Sequence, residues 1–253
     1  MFEDPKHRAK LEEYVAAIAR VLQPLDGKTI LEAGVGEATT LCGVLNQLHP
    51  APERVFGFDL AWSRIAIARA YAKRETPCRP QLCTGDFFAT PFADGAFDIV
   101  FTSHAVEPNF GREEEALREL YRVARRWVVL FEPSYELGNE ATKRHIEEHG
   151  YCRGLTETAK RLGYRVVEYR LLDLDWVDYN QTGVIVIEKP ESGTADASRA
   201  DYACPRCHHA LVNRGGNYFC SDCLVVYPQV GGIPCLLPQN AILATKYLDV
   251  TPA

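Results

Sequence analysis

Short β-rich runs alternate with helical patterns through most of the chain, and that alternation restricts the fold more than any other feature. Thr29–Glu32, Val55–Asp59, Phe97–Thr102 and Trp127–Phe131 read as strands, with Trp62–Lys73 and Glu113–Ala124 as helices between them. Strands separated by helices pair in parallel through right-handed crossovers, because a tight turn cannot reach a parallel neighbour. The expected fold is a doubly wound α/β sheet. Arg165–Tyr169 and Gly183–Glu188 follow closely on one another and predict an antiparallel pair that closes the sheet. Ahead of the first strand, Leu11, Tyr14, Val15, Ile18, Val21 and Leu22 recur at spacings of three and four, an amphipathic helix ended by Asp26-Gly27.

The first strand runs into Leu31-Glu32-Ala33-Gly34-Val35-Gly36-Glu37-Ala38-Thr39, a strand-to-helix turn whose glycines let a ligand approach the backbone. The second strand ends at Asp59, an acid suited to the paired hydroxyls of a ribose. A dinucleotide fingerprint requires a third glycine where Thr39 stands, and Glu32 and Glu37 would repel a pyrophosphate. Both carboxylates suit a cationic ligand instead. S-adenosylmethionine, with a ribose, an α-ammonium and a sulfonium, meets that description.

On these residues the chain resembles the class I (Rossmann-like) methyltransferases, whose first motif is an acid followed by x-G-x-G, here Glu32, Gly34 and Gly36. The resemblance spans about residues 28–190 and implies a mostly parallel seven-stranded sheet. It also implies S-adenosylmethionine as cofactor, with Asp59 and the adjoining Leu60 at the ribose. Asp86 would then accept from the adenine amino group, and Phe87 would lie beside the ring. Ala38 replaces the family's frequent third glycine, a departure expected to tighten the turn. The run Pro91–Val100 looks like the family's approach to its fourth strand.

Ligands of doubly wound sheets bind beyond the carboxyl ends of the strands, which turns attention to Thr102-Ser103-His104-Ala105-Val106-Glu107-Pro108-Asn109. Ser103 is expected beside the cofactor. His104 is the best candidate base, because an imidazole titrates near neutral pH; it equally suits capping the loop or meeting the cofactor's carboxylate. Glu107 is a second catalytic candidate. After the fifth strand, Glu132, Tyr135 and Glu136 are placed to meet an acceptor carrying amines or hydroxyls, with Tyr135 counted among the catalytic candidates; Pro133 enforcing a strand-ending turn is the plainer alternative. His145 and His149 lie four apart on a helical pattern without a third ligand, and are expected to be solvated.

Lys189–Asp201 has almost no large apolar residue and cannot pack a core, which divides the chain into a domain over 1–190, a linker over 191–201 and a second domain over 202–253. The second carries Cys204-Pro205-Arg206-Cys207 and Cys220-Ser221-Asp222-Cys223, two C-x2-C knuckles whose four thiolates make a closed tetrahedral zinc site. So small a unit would draw much of its folding energy from the metal. Val225–Pro238 resembles the small zinc-ribbon family that activates several tRNA, rRNA and translation-factor methyltransferases as a separate partner, often by adding a strand to the enzyme's sheet. His208 and His209 flank the first knuckle. Cys42, Cys78, Cys83, Cys152 and Cys235 lack such pairing and are expected as buried thiols.

A formal net charge of -6 supplies no broad cationic field, which argues against a nucleic-acid or membrane partner. The start of the chain lacks the apolar core of a signal peptide, and no apolar run approaches the roughly 20 residues that span a bilayer, so a cytoplasmic location is expected. The functional expectation is methyl transfer to an O or N atom of a small-molecule acceptor such as a carbohydrate or nucleotide-linked sugar. Methylation of RNA or protein with the ribbon as docking module is the alternative, followed by a cofactor-binding scaffold without catalysis. Homo-oligomerisation is compatible with each.

Overall fold

The computed structural model describes residues 5–174, 179–190 and 201–250. Helix α1 (Pro5–Leu22) leads into β1 (Thr29–Ala33), α2 (Thr39–Leu45), β2 (Arg54–Asp59), α3 (Trp62–Glu75), β3 (Gln81–Thr84) and β4 (Phe97–Ser103). Then come α4 (Glu113–Val123), β5 (Ala124–Pro133), α5 (Glu140–His149), α6 (Leu155–Arg161), β6 (Arg165–Leu171) and β7 (Thr182–Glu188). The expected elements are present with ends moved by one to five residues.

These seven strands form one sheet in the order β3-β2-β1-β4-β5-β7-β6. Its first five strands run parallel, and β7 pairs antiparallel with both β5 and β6. β1 and β4 are neighbours although four elements of chain, α2, β2, α3 and β3, separate them, so the strand order reverses between them and leaves a crevice at their carboxyl ends.

The central strands are buried on both faces, as a sheet covered by helices on each side requires. Alternate residues divide between two cores. Ile30, Ile99 and Val129 pack with Ile18 and Leu22 of α1, Leu41 of α2 and Ile65 of α3; Leu31, Val100 and Val128 pack with Leu117 and Leu120 of α4 and Leu155 of α6. α4 carries Glu113, Glu114 and Glu115 in its first turn and Arg122 in its last, each sign opposing the helix dipole.

Beyond Asp201 the chain forms β8 (Val212–Arg214), β9 (Asn217–Cys220), β10 (Val225–Tyr227), β11 (Gln229–Val230), β12 (Ile233–Pro234), β13 (Ile242–Leu243) and the short α7 (Tyr247–Val250). This ribbon does not keep a core of its own. Tyr202, Leu211, Tyr227 and Leu236 belong to the same buried cluster as Leu31 and Leu117. Just past β12, Cys235 bridges Thr84 in parallel, and the Leu236 amide donates to Thr84 Oγ1 at 3.1 Å, which covers the β3 edge of the main sheet. An open edge is a template for unwanted pairing, and the ribbon removes it. Most of the expected linker lies outside the described residues; at its end, Asp201 pairs with Arg54 at 2.5 Å. No helix among the described residues is long and apolar enough to cross a membrane.

Candidate functional site

The glycine turn is shaped by what surrounds it. Gly34 (φ +72°) and Gly36 (φ +54°) take left-handed backbone. A Cβ on Gly34 would also collide with Ala105 Cβ and lie 3.1 Å from the Phe87 ring. Ala38 takes φ +61°, a conformation that costs an ordinary residue about 1 kcal/mol, so its departure from glycine introduces strain. The Val35 amide donates to the Phe58 carbonyl at 2.8 Å and fastens the turn to β2.

At the end of β2, Asp59 accepts from the Gly36 amide at 3.1 Å and from the Ala61 amide at 2.9 Å, with an Arg64 guanidinium nitrogen at 3.8 Å. After β3, Asp86 accepts from the Phe88 amide at 3.0 Å. Asp59, Leu60, Asp86 and Phe87, all expected at a cofactor, enclose with Arg64 and Arg112 a cleft of about 410 Å³ at the strand reversal. Gly34 and His104 line it too.

Glu32 lies beneath this cleft rather than in its wall. It is 2% exposed and accepts from the Leu41 amide, and its second oxygen has no hydrogen-bond partner. Burial pushes its carboxyl well above the usual range.

The loop after β4 is gathered around Glu132. That side chain, 3% exposed, accepts from Thr102 Oγ1 at 2.6 Å, the Ala105 amide at 3.2 Å and the Glu107 amide at 3.1 Å. Its expected role at an acceptor is thereby replaced by one in shaping the loop. Burial raises its pKa, partly opposed by His104 and the Thr102 hydroxyl. His104, held at φ +51°, places Nδ1 3.0 Å from Glu107 Oε2 and Nε2 2.8 Å from Thr182 Oγ1. Burial lowers the imidazole pKa, but the Glu107 hydrogen bond and the charges of Glu107 and Glu132 outweigh it and leave it above the ordinary value.

Ser103 meets α1 instead of the cofactor cleft, its hydroxyl 2.9 Å from Tyr14 OH. The Tyr14 ring lies 6.0 Å from that of His104. Tyr135 is not brought to His104. Its hydroxyl donates to Glu147 at 2.7 Å, and the Arg153 guanidinium lies 4.8 Å from its ring centroid. His145 and His149 lie against one another with ring centroids 4.2 Å apart and ring planes tilted by 45°. Tyr14 and Thr182 were not legible as site residues. Tyr14 sits in the apolar stripe of α1, and Thr182 reaches His104 across 78 residues of sequence.

In the ribbon, Cys204, Cys207, Cys220 and Cys223 bring their sulfurs within 4.8 Å of one another, with separations of 3.9 Å for Cys204–Cys223 and 3.5 Å for Cys207–Cys220. A tetrahedral zinc with Zn–S bonds of about 2.3 Å sets its sulfurs about 3.8 Å apart, so this donor set fits that ion. His209 pairs with Asp222, and the ligand atoms of these two and of Cys207 lie within 4.8 Å of one another, at the edge of the four-sulfur cluster. Cys42, Cys83, Cys152 and Cys235 are buried as expected, while Cys78 is only half-buried.

The methyltransferase-domain family matches residues 30–126. No curated protein matches the sequence. Among solved structures, the magnesium protoporphyrin IX methyltransferase of Synechocystis PCC 6803 with bound SAH (S-adenosylhomocysteine) superposes with a TM-score of 0.57 at 13% identity, covering 72% of this chain and 85% of that one. A chain of the complex holding the Haloferax volcanii Trm112 methyltransferase activator gives 0.56 at 18%, covering 75% and 94%. The [4+2]-cyclase SpnF gives 0.56 at 16%, covering 72% and 81%. At these identities the likeness is one of fold, and the family match, over residues 30–126, is a similarity to methyltransferase domains.

Proposed function

We propose, from the premise that residues 30–126 are a methyltransferase domain, that this protein transfers a methyl group from S-adenosylmethionine to an O or N atom of a small polar metabolite. The observation that carries the reading is the cleft at the strand reversal, where Asp59 and Asp86 stand at the ends of neighbouring strands and His104 closes the far side.

The residues present fit that cofactor. Asp59 is placed for two ribose hydroxyls and Asp86 for an adenine amino group, while the unpartnered oxygen of Glu32 beneath the turn is an acceptor for an ammonium, directly or through water. When bound, the cofactor supplies a methyl carbon already activated by positive sulfur. The chain's own work is then to align, to exclude water and to receive a proton. His104 receives it on Nε2, after that nitrogen leaves Thr182, and Glu107 on the opposite ring nitrogen stabilises the imidazolium. Glu132 holds the loop that presents the ring.

Cys204, Cys207, Cys220 and Cys223 would hold one structural zinc, with no open position for chemistry. The ribbon lies on β3 within the same chain, and we read it as a built-in counterpart of an activator such as the one in the Haloferax complex. Calorimetry of the zinc-loaded chain with S-adenosylhomocysteine tests the proposal: one site per chain is expected, and absence of binding removes every enzymatic reading. Salt-sensitive binding of RNA would move the acceptor from a metabolite to nucleic acid.

A further inference from the structure

The four sulfurs of the ribbon are not equally sheltered. Cys204 and Cys220 are buried while Cys207 and Cys223 are only half-buried, so an ion reaches the four-thiolate site from the side of the latter two. On that side stand His209 and Asp222, both exposed and paired with each other. With Cys207 they form a second group of ligand atoms, one from each residue, all within 4.8 Å of one another. The knuckles fix them there. His209 follows Cys207 by two residues and its amide donates to the Cys207 sulfur; Asp222 sits between Cys220 and Cys223 and its amide donates to the Cys220 sulfur.

Sulfur, imidazole and carboxylate together suit zinc and its close relatives, whereas calcium and magnesium take oxygen. A thiolate keeps lone pairs after binding one ion and can bridge to a second. Charge favours the bridge: four thiolates around one divalent ion leave a net negative cluster, and Asp222 adds to it. Three protein ligands, two of them exposed, leave a fourth position to water, which suits an ion that is exchanged rather than enclosed.

We propose that Cys207, His209 and Asp222 hold a second, exchangeable zinc-class ion and form the port through which the four-thiolate site is loaded. The ion takes the place of the hydrogen bond between His209 and Asp222, binding a neutral imidazole whose proton rests on the other ring nitrogen, and passes inward through the Cys207 thiolate that both sites share. The inference goes beyond methyl transfer and rests on the four-thiolate zinc reading.

The test adds cobalt(II) to full-length protein already carrying one zinc, with both metals followed by elemental analysis and cobalt by absorption. One further cobalt per chain should bind with the zinc retained, and a sulfur-to-cobalt charge-transfer band in the near ultraviolet should report the shared Cys207. His209→Ala and Asp222→Ala should each weaken cobalt at least about tenfold and remove the band while the zinc stays. His145→Gln, which breaks up the histidine pair on α5, should change neither. Exchange of the resident zinc for isotopically enriched zinc, read by mass spectrometry, should slow about tenfold in both ribbon variants. Cobalt that fails to bind, binds without the band, survives His209→Ala or is lost in His145→Gln would overturn the port, as would an exchange rate indifferent to both ribbon variants. A chain that holds no zinc on its four cysteines would remove the four-thiolate reading, and the port with it.

Discussion

Tyr202→Ala should unfold the protein at a temperature lower by on the order of 10 °C, because the ribbon and the main sheet share one core. Tyr202 is 4% exposed at the seam. Its ring meets Phe56 of β2 edge-on at 6.2 Å, Tyr218 of β9 edge-on at 5.2 Å and Phe92 at 6.0 Å. Burial of a large side chain contributes about 2–3 kcal/mol, and each favourable aromatic pair adds about 0.5–1.5 kcal/mol. A loss of about 3–5 kcal/mol follows, in the range measured for aromatic-to-alanine changes in other cores. For a chain of this length each kcal/mol moves the midpoint by about 2–4 °C. Differential scanning calorimetry at fixed zinc and protein concentration reads the effect as one transition displaced downward. A shift under about 3 °C, or a new low-temperature transition with the main one unmoved, would refute the claim that the two parts fold as one unit.

Other perturbations address the site. Asp59→Asn should weaken S-adenosylhomocysteine about 10- to 100-fold by calorimetry, since the carboxylate's charge-assisted bonds are worth about 1.5–3 kcal/mol each; circular dichroism checks that the Gly36 and Ala61 amides stay held. Gly34→Ala should abolish cofactor binding and lower stability, because the new methyl collides with Ala105 at a left-handed φ. The imidazole of His104 is held above its ordinary pKa by Glu107 and Glu132, so turnover should rise with pH through a limb displaced above roughly 6.5, and His104→Gln should remove that limb. An unchanged profile would return His104 to a structural role. Elemental analysis should find about one zinc per chain and Cys220→Ala should lose it; less than about half a zinc in the unmodified protein would count against the four-thiolate site.

The sequence by itself determined the alternating strands and helices, the glycine turn and the two cysteine knuckles, because each is local: periodicity, backbone freedom and ligand spacing are written within a few residues. The resemblance placed Asp59, Leu60, Asp86 and Phe87 together, and the strand reversal between β1 and β4 brings them into one cleft. What tertiary structure alone decided was pairing at a distance. Tyr14 reaches Ser103 across 89 residues, Thr182 reaches His104 across 78, and Leu236 reaches Thr84 across 152, and none of these contacts leaves a periodic trace. Glu132 left its expected setting for the same reason: it is an acid at a strand end, and only the packing of the loop after β4 around its carboxylate buries it. The expected boundary before residue 202 reflects composition, which reports where a chain cannot pack; it is silent on Tyr202 entering the core of the domain beside it, since that depends on which sheet edge the ribbon covers.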